Sequence, residues 1–190
     1  MTASWGATPA GGVKFLPVTR TVKYVPPADD IEAVLSLAQP LDKAYLIVIW
    51  QLGARVQEIN RLTWEDVDFT RRQVRLWTRK KSGGHLTPRL VDMNDRAFQA
   101  LKFAQWHRIE GSPYVFPNPR TGQPYDYRDK FFDRICRLAG VPEMGYHALR
   151  HAKASQLADQ GESLPYIRDF LGHEDISATS LYLQSLGVKK

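Results

Sequence analysis

TWEDVDFTRRQVRLWTRKKSGGHLTPRLVDM, residues 63–93, is the stretch in which the texture of the chain changes. On either side apolar residues recur every three or four positions; here the period shortens toward two, with Val67, Phe69, Val74, Leu76, Leu86, Leu90 and Val91 as the apolar set. Strand side chains alternate between faces, so this pattern predicts three short antiparallel strands. Lys81-Ser82-Gly83-Gly84-His85 joins the last two as a hairpin. The same stretch carries the charge. Residues 71–90 hold Arg71, Arg72, Arg75, Arg79, Lys80, Lys81 and Arg89 with no acid, +7 in all; the 190-residue chain totals +6, which leaves −1 for everything else. Charge concentrated in this way builds a local potential suited to a polyanion, although a solvated basic loop would read the same.

Outward from this segment the pattern is helical. Upstream, Asp29 and Glu32 have capping-box spacing and predict a helix to about Ala38. Residues 41–54 are apolar on nearly every side, which predicts a buried helix with Gly53 near its end, followed by a short helix over 55–62. Downstream, helices are expected over 94–110, 128–138, 146–160, 165–171 and 176–184, with a Pro- and Gly-rich loop over 113–125 and Gly161 as a helix stop. The expected fold is mainly α with a small three-stranded antiparallel sheet, an α+β domain. Residues 1–28, with Gly6, Gly11, Gly12, Pro9, Pro17, Pro26 and Pro27, read as a linker or N-terminal arm, leaving 29–190 as one domain.

Composition narrows the class. A hydrophobic fraction of 43% with 24% charged residues is that of a globular chain rather than a disordered one. The longest strictly apolar run, 44–50, is seven residues, against the ~18 or more needed to cross a bilayer. Met1-Thr2-Ala3-Ser4-Trp5-Gly6 has no basic start or apolar stretch, so no secretory signal is read there. The single cysteine, Cys136, excludes an internal disulfide framework and a four-cysteine zinc site, and a reducing cytoplasmic setting is expected.

Several polar groups could carry chemistry. His147-Ala148-Leu149-Arg150-His151 follows a helix start, so His147, Arg150 and His151 share a face near an N-terminus that favours anions. His147 and His151 also have the spacing of a zinc pair, but Ala148 stands where such hydrolases use Glu, and no acidic third ligand is obvious. A packed core histidine is the plainer reading of His151. His173 follows Gly172, and Tyr182 lies nine residues on; a tyrosine in an apolar helix is by default a core residue with its hydroxyl at the edge. Arg55 directly follows the buried helix with Glu58 three positions later, a pair that could equally be a surface ion pair of small consequence.

Taken in order, Arg55, Lys80 in the hairpin, His147-x-x-Arg150, Leu171-Gly172-His173 and Tyr182 resemble the tyrosine recombinase family, the phage-integrase-like site-specific DNA recombinases. The resemblance spans roughly residues 29–184. Leu62-x-Trp64-x-Asp66 and Tyr114-Val115-Phe116-Pro117 resemble the family's connecting segments. It implies a tyrosine recombinase catalytic-domain fold and DNA strand cleavage and rejoining through a covalent 3′-phosphotyrosyl intermediate, with no metal or other cofactor. Tyr182 would be the nucleophile, Arg55 and Arg150 the phosphate clamp, His147 and His173 the proton acceptor and the hydrogen-bond donor to phosphate. Lys80 is favoured over Lys81 as the acid for the leaving 5′ oxygen, with Glu58 in support. Arg72, Arg75, Arg79 and Lys81 are expected to contact DNA.

The implied partner is double-stranded DNA in the nucleoid, not a membrane. The chain by itself is expected to be a monomer; the full-length protein would form a tetramer on paired DNA sites, with accessory DNA-bending proteins as further partners. The family's N-terminal DNA-clamping domain does not fit in 28 residues and is expected to be absent. Two other activities stay open at this point: type IB topoisomerase-like or resolvase chemistry with the same groups, and a non-catalytic module in which they only grip phosphates.

Overall fold

Pro40 opens the most buried helix of the protein, where its fixed φ suits the first helical position and its missing N–H costs nothing. In the computed structural model, which describes residues 24–79 and 84–173, this is α2 (Pro40–Gln51), with every residue from Ala44 to Gln51 buried. It is wrapped because it is apolar all round: α1 (Ala28–Leu37), α3 (Val56–Asn60), α4 (Asp95–Trp106) and α6 (Tyr146–Asp159) all pack on it. Two more helices complete the set among the described residues, α5 (Asp129–Ala139) against α1 and α7 (Leu164–Leu171) against α6. None of these helices is long and apolar enough to cross a membrane.

The three expected strands are present: β1 (Val67–Asp68), β2 (Gln73–Arg79) and β3 (Leu86–Asp92), antiparallel in the order β1-β2-β3. Val74 pairs with Val91, Leu76 with Arg89 and Thr78 with Thr87, so these side chains share the face toward the helices. Arg75, Trp77, Leu86 and Leu90 stand on the other face and are exposed. The mainly α architecture with one small antiparallel sheet is thus as the sequence predicts.

Boundaries differ in instructive ways. Pro27, not Asp29, occupies the cap position of α1 and no side chain caps the helix. The Pro26-Pro27 pair sets the extended entry, leaving Asp29 and Asp30 in the first turn, where their charge complements the helix dipole. Glu32 instead binds Arg96 of α4, with Arg96 Nη2 2.8 Å from Oε2. Helix α4 stops at Trp106 rather than 110, and Asn94 caps its start by accepting the Ala97 amide at 2.9 Å. Phe69 falls just outside β1 and packs edge-on against Phe98 of α4 at 5.7 Å between ring centres. The helix expected over 176–184 lies outside the described residues.

Candidate active site

The site is built where the ends of α2 and α7 meet the start of α6. Helix α2 closes on Gly53, at φ +54, and a Cβ added there would lie 3.0 Å from both Leu171 Cδ2 and Phe170 Cε1. The left-handed backbone favours glycine, and a Cβ would in addition press on the two α7 side chains. Arg150, 1% exposed, spans this junction: Nη1 donates to Gly53 O at 2.6 Å and Nη2 to Leu171 O at 2.5 Å. These carbonyls belong to helix C-terminal ends, where a cation is favoured. The guanidinium therefore sits at one fixed place, held from two helices.

Arg55 precedes α3, and its side chain is 34% exposed. Its position is set by Glu58, whose Oε2 accepts the Arg55 amide at 2.9 Å and whose Oε1 accepts Arg55 Nη1 at 3.1 Å. Thr78 of β2 donates its hydroxyl to the same Oε1. Arg89 of β3 forks onto the carboxylate, Nη1 to Oε1 at 2.7 Å and Nη2 to Oε2 at 2.9 Å. Burial by itself would raise the Glu58 pKa, but the Arg89 fork, the Thr78 hydroxyl and the Arg55 amide outweigh it and hold the group down at about 2. Glu58 is ionised at neutral pH.

His173 follows α7 directly. Its pKa is pushed down to about 4, first by burial and then by the positive charges of Arg150, Arg55 and Arg89 and by His147. The imidazole is neutral at pH 7 and retains one N–H donor. His147 and Arg150 of α6, Arg55 before α3 and Arg89 of β3 thus all act on His173, although they come from three separate parts of the chain. His147 is exposed in the first turn of α6, whereas His151 is buried, its ring edge-on to His147 with centres 5.7 Å apart. Among the described residues, no group of three or more His, Cys, Asp or Glu could hold a metal ion.

Beside Arg55 a cleft of about 590 Å³ is lined by Arg55, Arg61, Asp66, Arg75, Trp77 and Thr78, among others. Buried Asp66 organises its floor, accepting from Trp77 Nε1 at 2.9 Å and Thr63 Oγ1 at 2.7 Å, with Arg75 Nη1 3.7 Å away. Arg75 is exposed on the same outer face as Trp77. Arg72 is directed elsewhere: its Nη2 pairs with Asp95 at 2.5 Å and its guanidinium lies 4.7 Å from the Phe98 ring centre. Lys80, Lys81 and Tyr182 lie outside the described residues, as does the side chain of Arg79.

Sequence reasoning counted Arg89 only as part of the basic cluster. The available signal is parity, since Arg89 stands two positions before Val91 and so shares its inner face. An inward-facing arginine implies a buried acid, which here is Glu58.

The fold is an α-rich domain with a small antiparallel sheet that brings Arg55, Arg150, His147 and His173 around one junction. A sequence model of the phage integrase family matches residues 27–187. The chain belongs to the phage integrase family. It is 33% identical over 168 residues to tyrosine recombinase XerD of Vibrio cholerae serotype O1, covering 80% of this chain and 54% of that protein. It is 29% identical over 148 residues to tyrosine recombinase XerC of Corynebacterium glutamicum, covering 74% and 46%. The chain thus spans about half the length of the curated relatives it matches. Among solved structures, XerA recombinase superposes with a TM-score of 0.75 at 21% identity, over 85% of this chain and 60% of that one. The Tn1549 transposon integrase in complex with a circular intermediate DNA gives 0.73 at 20% identity, over 88% and 63%. The catalytic domain of bacteriophage HP1 integrase gives 0.62 at 20%, over 84% and 86%.

Proposed function

We propose that this chain is the catalytic domain of a site-specific DNA recombinase or integrase that cuts and rejoins DNA through a covalent 3′-phosphotyrosyl intermediate. The observation that carries the proposal is the convergence of three separate motifs, Arg55, the His147-x-x-Arg150 pair of α6 and His173, on one junction, where Arg150 binds the carbonyls of Gly53 and Leu171. The reaction requires a nucleophile, charge stabilisation at phosphorus and a proton for the leaving oxygen. Tyr182 Oη attacks phosphorus, the bond from phosphorus to the 5′ oxygen breaks, and the DNA 3′ phosphate is left on the tyrosine. His147 takes the phenolic proton. Lys80 gives a proton to the leaving 5′ oxygen; it is assigned over Lys81 because in sequence it follows the strand directly and precedes Lys81-Ser82-Gly83, like the family's lysine-then-turn arrangement. Arg55 and Arg150 offset the charge growing on the non-bridging oxygens, and neutral His173 donates its N–H to one of them. Rejoining reverses these steps and needs no ATP, since the phosphotyrosyl bond conserves the energy of the bond broken.

Double-stranded DNA is the partner, with the cleft at Arg55, Arg61 and Arg75 and the basic hairpin facing its phosphates. We assign Arg79 and Lys81 to phosphate contact as well; Arg72, paired with Asp95, contributes to the potential more than to direct contact. Residues 29–190 form the catalytic unit, which we expect to be monomeric by itself and tetrameric on paired sites in the full-length protein, acting on nucleoid DNA. The test is incubation with randomised nicked duplexes in excess EDTA, followed by denaturing separation. A covalent protein–DNA adduct with DNA retained through its 3′ end is expected. Binding without adduct on any duplex would leave only a DNA-gripping module.

A further inference from the structure

Arg89 belongs to none of the motifs by which the family is read in this sequence, yet its side chain is only 11% exposed. Besides forking onto Glu58, its Nη1 donates to Thr78 Oγ1 at 2.9 Å and its Nε to Phe170 O at 3.2 Å. Three separate pieces of chain are tied by these bonds. One is the start of α3, where Glu58 in turn holds the amide and guanidinium of Arg55. The second is β2, through Thr78. The third is the last turn of α7, which leads into Gly172 and His173. The Arg89 stem crosses this turn closely: a Cβ on Gly172 would lie 2.8 Å from Arg89 Cδ and 3.2 Å from Nε. Gly172 therefore answers to two demands, its φ of +65 and the passage of Arg89.

We propose that Arg89 is a positioning residue of the strand-transfer site, setting Arg55 through the Glu58 carboxylate and fixing the His173 turn through Phe170 O and its passage over Gly172. The two sides of the phosphate pocket then keep one geometry. This proposal rests on the recombinase reading given above. Lysine cannot replace the arginine fully, because a single ammonium cannot fork onto both carboxylate oxygens and also reach Phe170 O. The groups that face Glu58 are the Arg89 and Arg55 guanidiniums, the Thr78 hydroxyl and the Arg55 amide. With Arg89 gone, the buried carboxylate keeps only the Arg55 charge and takes up a proton at higher pH, releasing Arg55.

The experiment compares wild type, Arg89→Lys, Arg89→Met and the double variant Arg89→Met/Glu58→Gln in single-turnover adduct formation on a nicked duplex. Duplex affinity and melting temperature are measured for each. Arg89→Met should slow adduct formation about 100-fold, the scale of a small misplacement of a clamp group. Its affinity should stay within about 3-fold of wild type, a loss of rate and not of binding. The defect should deepen as the pH is lowered and Glu58 protonates, and this acid limb should vanish in the double variant. Arg89→Lys should recover part of the rate. Folded Arg89→Met cleaving like wild type at every pH, or losing affinity instead of rate, would overturn the proposal. Should Arg89→Met fail to fold, Arg89→Lys decides: a reduced rate with normal affinity supports the assignment, and a wild-type rate overturns it. A wild type that binds DNA without forming adduct is a different result, since it removes the strand-transfer reading and this proposal with it.

Discussion

Replacing Glu58 by Gln keeps the shape of the side chain and removes the charge on which Arg55, Arg89 and Thr78 converge. The carboxyl falls from its usual 4.5 to about 2 in the folded protein. At about 1.4 kcal/mol per tenfold change in proton affinity, that preference for the ionised form amounts to about 3 kcal/mol of folding stability. Because the folded pKa is the lower one, this contribution is complete above 4.5 and is lost as the pH falls through about 2. By about pH 3 roughly 2 of the ~3 kcal/mol are gone. The assay is urea unfolding of wild type and Glu58→Gln at about pH 7 and about pH 3, taking the difference so that groups titrating in both proteins cancel. The variant should be less stable by about 3–5 kcal/mol at neutral pH, as expected when one partner of a buried pair is removed. The gap should narrow by about 2 kcal/mol at the lower pH. A gap that stays constant across this range would refute the argument that Arg89, Thr78 and the Arg55 amide outweigh burial at Glu58.

Three further expectations concern the chemistry. Arg150→Ala should cut single-turnover cleavage by about 100- to 1,000-fold, the loss typical of one preorganised donor; activity within a few-fold of wild type would show that the clamp is misassigned. His173, held neutral down to about 4, should impose no acid limb on cleavage near the free-imidazole value of ~6.5; a limb there that His173→Asn abolishes would contradict its neutral, donating role. A 5′-phosphorothiolate substrate, whose thiolate leaves with little need of a proton, should rescue Lys80→Ala. Rescue of Lys81→Ala alongside normal cleavage by Lys80→Ala would move the acid by one residue.

The fold was largely legible because its signals are local. The apolar wrap of 44–50 and the period-two texture around Val74, Leu76 and Val91 each follow from the environment one element must meet. Where the reading slipped, tertiary contact or backbone restriction had taken over: Pro27 displaced Asp29 from the cap, and Glu32 turned to Arg96. In the site, Arg55, Glu58, Arg150 and His173 stood out by motif spacing. Arg89 did not, since its role depends on a strand face meeting the start of α3 and the end of α7, a juxtaposition that no local pattern encodes. Arg72 shows the converse, a member of the basic cluster that the fold pairs with Asp95 and lays over Phe98.

The central claim is that Tyr182 becomes covalently joined to DNA. Digesting the adduct formed on a nicked duplex with protease and nuclease, then sequencing the nucleotide-bearing peptide by mass spectrometry, tests it most directly. The account predicts a single modified peptide with the 3′ phosphate on Tyr182, absent from Tyr182→Phe, which should still bind the duplex with nearly unchanged affinity. Phosphotyrosine on another residue such as Tyr166, or adduct persisting in Tyr182→Phe, would contradict it.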